Sequence, residues 1–220
     1  MSKFQPHWHV LPSSQRELWP SLAPSVSLGL VLYGGTAAAL RLGHRTSVDF
    51  DFFTERPLDA EDLRQRFPFL KQSKVIQDQK NTLSVLVPVQ AGNVKVSFFG
   101  DITIGRAGVP DLTQDGVIKV ASLLDLLATK LKVLLQRVEA KDYRDVAAIL
   151  RAGVRLDSGL AAANSLFKPN FQPSEAIKAL TYFKGGDLGS VVSTDRELLL
   201  RAAEKVRHIP PAGILSRSLF

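Results

Sequence analysis

The clearest alternation in the chain runs over residues 47–53, where Asp49, Asp51 and Phe53 fall on one side of an extended segment and Val48, Phe50 and Phe52 on the other. The second side is expected to face the core. Just upstream, residues 28–33 form a continuous apolar run that ends in Gly34-Gly35, the pattern of a buried strand entering a tight turn. A helix is predicted over residues 36–42, stopped by Gly43. Residues 13–23 read as a short first helix, with Ser13 or Ser14 as its cap, Leu18 on the apolar side and Pro20 breaking its regularity. Beyond the alternating segment, Asp59 is a plausible cap for a helix that buries Leu63 and Phe67. Three strands are then predicted, over residues 73–79, 82–87 and 93–99, the last two joined by a short loop that opens at Pro88 and contains Ala91-Gly92.

The character of the chain changes after residues 105–115, a loop rich in Gly, Pro and Asp. Residues 122–137, 141–152, 157–167, 174–183 and 194–206 all carry helical periodicity. The reading is therefore α/β: a mixed β-sheet core with flanking helices over residues 1–115, then a helical region over residues 116–220 packed on that core. No internal repeat is present.

Composition narrows the picture. With 220 residues, 45% hydrophobic and 22% charged, the chain can bury a sizeable core. It has no cysteine, which excludes disulfides, thiolate zinc sites and cysteine nucleophiles together. Lys and Arg number 28 against 21 Asp and Glu, a net charge of +7 that favours polyanionic partners. The first ten residues lack the apolar stretch of a secretory signal, and the most apolar window, residues 28–42, is too short and Gly-rich to span a bilayer. A cytoplasmic protein without membrane segments is expected.

The candidate chemistry sits on the first two strands. Carboxylates at i and i+2 of a strand point the same way, about 6 to 7 Å apart along the chain, and suit joint binding of a hard divalent cation such as Mg²⁺. The Gly34-Gly35-Thr36 turn places backbone N–H groups at a helix N-terminus, where phosphate is favoured, and the glycines allow close approach. Each motif alone is commonplace; their order puts a phosphate cradle beside a metal pair. In the helical region, Lys130 falls within the apolar stripe of Leu123, Leu127, Leu131 and Leu134, out of place for a plain core helix. Asp142 and Asp145 precede Val146 and Ile149 by four residues and are expected to face inward.

These residues resemble the nucleotidyltransferase toxins of the AbiEii/AbiGii type, a branch of the polymerase-beta-like nucleotidyltransferase superfamily. The matching stretch is YGGTAAALRLGHRTSVDFDFF, with Gly34, Gly35 and Thr36 as the turn, His44-Arg45 and Ser47 as the lead-in, and Asp49 and Asp51 as the carboxylates. A second stretch matches at Lys130 and over residues 141–145. The resemblance covers roughly residues 12–152. It implies a nucleotidyltransferase-like fold and nucleotidyl transfer from an NTP to RNA, plausibly a tRNA end, by a toxin restrained by a separate antitoxin protein. Asp49 and Asp51 would hold Mg²⁺ or Mn²⁺. Gly34, Gly35, Thr36, Arg45, Ser47 and Lys130 would bind the nucleotide, and Asp145 would complete a catalytic set with Asp49, Asp51 and Lys130. There is one departure. The superfamily usually supplies a third carboxylate from a later strand, where this chain offers Lys95, Ser97 and Phe99; either Asp145 or Asp101 substitutes, or one metal is held weakly, or the protein binds nucleotide or RNA with little turnover.

Overall fold

A computed structural model describes residues 2–220. The chain forms two compact units: a sheet unit, comprising the residues up to Gly105, Val109–Ala121 and Ser216–Phe220, and a helical unit of Arg106–Gly108 and Ser122–Leu215. The change from sheet to helix, expected after residue 115, comes after Ala121, and the last five residues belong with the sheet.

Among the described residues the sheet unit holds one eight-stranded mixed sheet. In chain order the strands are β1 (Lys3–Phe4), β2 (Val31–Tyr33), β3 (Asp49–Phe53), β4 (Lys74–Gln79), β5 (Thr82–Val89), β6 (Gly92–Phe99), β7 (Asp111–Thr113) and β8 (Lys119–Val120). Across the sheet they lie β1-β7-β8-β2-β3-β6-β5-β4. β2 pairs antiparallel with β3, and β3 pairs parallel with β6. The α/β architecture read from the sequence is the one observed. β1, β7 and β8 were not legible, because two or three residues are too few to establish a period of two, and β7 lies inside the stretch read as loop.

The core face is set by the alternation of β3. Phe50 and Phe52 are fully buried, register with Val96 and Phe98 of β6, and Phe52 stacks on Phe98 at 5.7 Å. Each such phenyl ring contributes about 1.5–3 kcal/mol by leaving water. Val48, expected beside them, is instead 52% exposed: it precedes the first paired residue of β3, so the pleat that aims Phe50 and Phe52 inward does not constrain it. Its carbonyl accepts a bond from Gln15 Nε2 at 2.5 Å.

Short helices flank the strands. α1 covers only Ser13–Leu18, with Pro12 rather than Ser13 or Ser14 at its cap; Ser14 is buried and bonds Gln15. A 3₁₀ turn at Trp19–Leu22 follows, because Pro20 has no N–H to continue the ladder, and then α2 (Pro24–Ser27). α3 (Gly34–Leu42) begins two residues earlier than predicted, and ends at Gly43 in the left-handed region as expected. α4 (Ala60–Arg66) is capped by Asp59, which accepts from the amides of Glu61 and Asp62, and it buries Leu63; Phe67, its C-cap, is buried as well. Ser216–Phe220 closes the unit: Glu55 accepts from Ser218 Oγ at 2.8 Å and Leu219 N at 3.1 Å, and Lys119 Nζ lies over the Phe220 ring.

The helical unit contains α5 (Leu123–Val133), α6 (Ala140–Arg151), α7 (Leu156–Phe167), α8 (Pro173–Thr181) and α9 (Ser193–Glu204), matching the five predicted helices to within a few residues at each end. α5 is capped by Ser122, whose Oγ accepts from Asp125 N. α5 and α7 approach closely at Gly159, where an added Cβ would fall 2.3 Å from Leu127 Cδ2. No helix among the described residues is long and apolar enough to cross a membrane.

Candidate active site

The face of β3 opposite the core carries the carboxylate pair. The β3–β6 register sets Asp49 beside Lys95, Asp51 beside Ser97 and Phe53 beside Phe99, while β2 sets Tyr33 beside Asp51. Asp51 thereby stands next to the last residue of β2, where the chain turns into α3. Both glycines of that turn lie close against neighbouring side chains. Gly34 has φ +76°, and an added Cβ would lie 2.8 Å from Asp51 Oδ2; at Gly35 it would lie 2.4 Å from Arg45 Nη2 and 3.3 Å from Ser47 Oγ. The fold thus gathers Gly34, Gly35, Arg45, Ser47 and Asp51 at one helix N-terminus, beside half-buried Asp49.

Thr36 has a different place from the expected phosphate contact. It is 1% exposed, and its hydroxyl bonds Ser47 Oγ at 2.8 Å and the Asp49 carbonyl. These bonds tie the first turn of α3 to the start of β3, fixing the cradle against the carboxylates. Arg45 Nη1 donates to the Thr46 carbonyl at 3.0 Å.

Ser97, where the resemblance leads one to expect a third acid, pairs in register with Asp51. Ser97 is 1% exposed and takes a 3.1 Å hydrogen bond from Ser84, its register partner on β5. Asp101 lies past the end of β6, in a left-handed turn where its carboxylate accepts from Asn81 Nδ2. No group of three or more His, Asp or Glu side chains among the described residues is placed to hold a metal ion. Asp49 and Asp51 offer hard oxygen donors of the kind a divalent cation takes.

The second predicted cluster lies inside the helical unit. Lys130 of α5 is 5% exposed, and its ammonium sits 2.7 Å from Asp142 Oδ1 and 2.6 Å from Asp145 Oδ2 of α6, both fully buried. The inward orientation of the two aspartates, expected from the spacing, is therefore observed. Arg137 donates to both oxygens of Asp142. Burial opposes the charge on Asp142, but the bonds from Arg137 and the nearby Lys130 outweigh it and hold the carboxyl below its ordinary range. Sequence reasoning missed Arg137: the periodicity over residues 122–137 makes it the last residue of a helix, whereas α5 ends at Val133 and Arg137 lies in the connection to α6. It also missed Asp125, fully buried, which accepts from the amides of Ala107 and Gly108 and from Ser122; its burial raises its carboxyl above the ordinary range despite these bonds.

Comparison with known proteins bears on the family and the fold. An uncharacterized protein of Aquifex aeolicus (strain VF5), aq_aa25, is 31% identical over 183 residues, which cover 79% of this chain and 84% of that protein. Among solved structures, an antigenic nucleotidyltransferase-like protein from Paracoccidioides brasiliensis superposes with a TM-score of 0.52 at 18% identity, over 88% of this chain and 94% of its own. The nucleotidyltransferase toxin MenT4 of Mycobacterium tuberculosis H37Rv gives 0.48 at 14% identity, over 86% and 91%. The model of the nucleotidyl transferase AbiEii toxin family, of type IV toxin–antitoxin systems, matches residues 23–178, the span that carries both the carboxylate face and the buried lysine cluster, and the chain belongs to that family.

Proposed function

We propose that the protein transfers a nucleotidyl group from an NTP to a hydroxyl of RNA, with a tRNA end as the acceptor, and that it acts in the cytoplasm as a toxin restrained by an antitoxin protein. The observation that carries the reading is the packing of Asp51 against Gly34: the carboxylate face and the helix N-terminus are built as one unit, joined through Thr36 and Ser47. In this reading Asp49 and Asp51 hold Mg²⁺ or Mn²⁺, which supplies charge neutralisation at the phosphates when bound. The amides at Gly34 and Gly35 and the Arg45 guanidinium receive phosphate oxygens, and Thr36 and Ser47 hold those groups in place. The acceptor oxygen bonds to the α-phosphorus as the bond to the β-phosphate oxygen breaks. The electron pair leaves with pyrophosphate, and the hydroxyl proton passes to water. Lys130 and Asp145 are the helical unit's part of the proposal, as nucleotide-binding lysine and its buried partner.

The test is incubation of the protein with each radiolabelled NTP, Mg²⁺ or Mn²⁺ and total RNA, beside an Asp49→Ala, Asp51→Ala double variant. Metal-dependent label on RNA, absent with the variant, is expected. A second reading, a nucleotidyltransferase fold that binds nucleotide or RNA without turnover, is favoured by the Ser97–Ser84 pair in place of a third acid. It takes over if no label appears while NTP and metal still raise the melting temperature of the wild type alone.

A further inference from the structure

The face that carries Asp49 and Asp51 also carries a cation that the proposed chemistry has not used. Lys95 stands directly across from Asp49 in the parallel β3–β6 pairing. Its neighbours Val94 and Val96 are fully buried on the core side, so the Lys95 side chain leaves the sheet on the side of the two carboxylates. It is half-buried, and among the described residues it makes no hydrogen bond and no ion pair. Opposite charges directly across a strand pair ordinarily attract, yet Lys95 and Asp49 form no salt bridge. The two residues are neighbours in register on one face, and neither side chain is taken up by a hydrogen bond or ion pair among the described residues.

We propose that Lys95 binds the phosphates of the nucleotide. Its ammonium takes a non-bridging phosphate oxygen while Asp49 and Asp51 hold the divalent cation, so the polyphosphate is met by positive charge from both sides. This rests on the carboxylate reading given above. It also gives the Ser97 position a physical sense. A third acid beside Asp51 would gather a second cation to neutralise phosphate charge; here the neighbouring position on the same strand supplies a fixed positive charge instead, and Ser97 turns to Ser84. The ligand recognised is a polyphosphate bound to a divalent cation, whatever its base.

Inorganic tripolyphosphate isolates this interaction from any base preference. The experiment titrates the full chain with tripolyphosphate at saturating Mn²⁺ by calorimetry, and separately with Mn²⁺ alone by the loss of its free-ion paramagnetic resonance signal. Lys95→Met is expected to weaken tripolyphosphate about tenfold or more, the range of a lost charge-assisted hydrogen bond, and Lys95→Arg to restore it. Removing a positive charge beside Asp49 is expected to leave Mn²⁺ binding as tight or tighter. Unchanged tripolyphosphate affinity in Lys95→Met overturns the assignment of Lys95 and leaves the carboxylate reading standing. Joint loss of both ligands with a lowered melting temperature also overturns it, because the lysine would then serve the strand. If the wild type binds no Mn²⁺, or binds it equally after Asp49→Ala and Asp51→Ala, the carboxylate reading fails and this proposal with it.

Discussion

At the scale of single residues, the two glycines of the cradle separate a backbone requirement from a packing one. Gly34→Ala places a Cβ both in the left-handed region, at roughly 1 kcal/mol, and against the Asp51 carboxylate, so lowered melting temperature and lost Mn²⁺ binding are expected together. Gly35→Ala meets chiefly the end of the flexible Arg45 side chain, at 2.4 Å, with Ser47 Oγ at 3.3 Å. Its melting temperature should stay near the wild type's, while tripolyphosphate binding falls as Arg45 is displaced. Lys130→Met leaves Asp142 and Asp145 buried with one cation fewer, and chemical denaturation should show a loss of about 3–5 kcal/mol; Asp145→Asn in the same background recovers part of it. The grouping of the candidate residues between Gly34 and Asp51 was legible in the sequence because they form a contiguous motif on one strand and one turn. The sequence did not reveal that Thr36 is buried and bonded to Ser47, since a hydroxyl next to a glycine pair reads the same whether it faces a ligand or the neighbouring strand.

At the scale of elements, legibility followed length. The helices of twelve residues and the strands of five to eight repeat their period often enough to be found, whereas β1, β7 and β8 are fixed by pairing with partners more than eighty residues away or across a turn. The α5–α6 pair gives these elements a definite response to acid. The Asp142 carboxyl is held below its ordinary range, so its contribution is fully present above the unfolded value of about 3.9 and is lost as pH falls through the lower folded value. Asp125 has the opposite sign: its raised carboxyl favours folding below the unfolded value, and that contribution is lost as pH rises through the folded one. Denaturant unfolding between pH 3 and 6 is therefore expected to show a shallower acid loss in Asp142→Asn and a steeper one in Asp125→Asn. Equal slopes in both variants and the wild type would refute the assignment.

At the scale of the whole molecule, charge is unevenly shared. The sheet unit has 13 basic residues against 11 acidic, and the helical unit 15 against 10. If RNA is the acceptor, its affinity should fall linearly in a plot of log affinity against log salt, and the double change Arg201→Glu, Lys205→Glu on the exposed end of α9 should flatten that slope by roughly 0.7–0.9 for each phosphate no longer neutralised. Arg66→Glu with Lys71→Glu, on the sheet unit, should change it little. Charge count led from the sequence to an expected polyanionic partner; the partition of charge did not follow from it, because residues 216–220 rejoin a unit that the chain had left at Ala121. That return has a consequence for synthesis. A ribosome delivers the segment that Glu55 and Lys119 grip only after all five helices of the other unit have been made. A nascent chain that halts near Leu215 therefore carries both carboxylates of the candidate site on a sheet whose last clasp has not been translated.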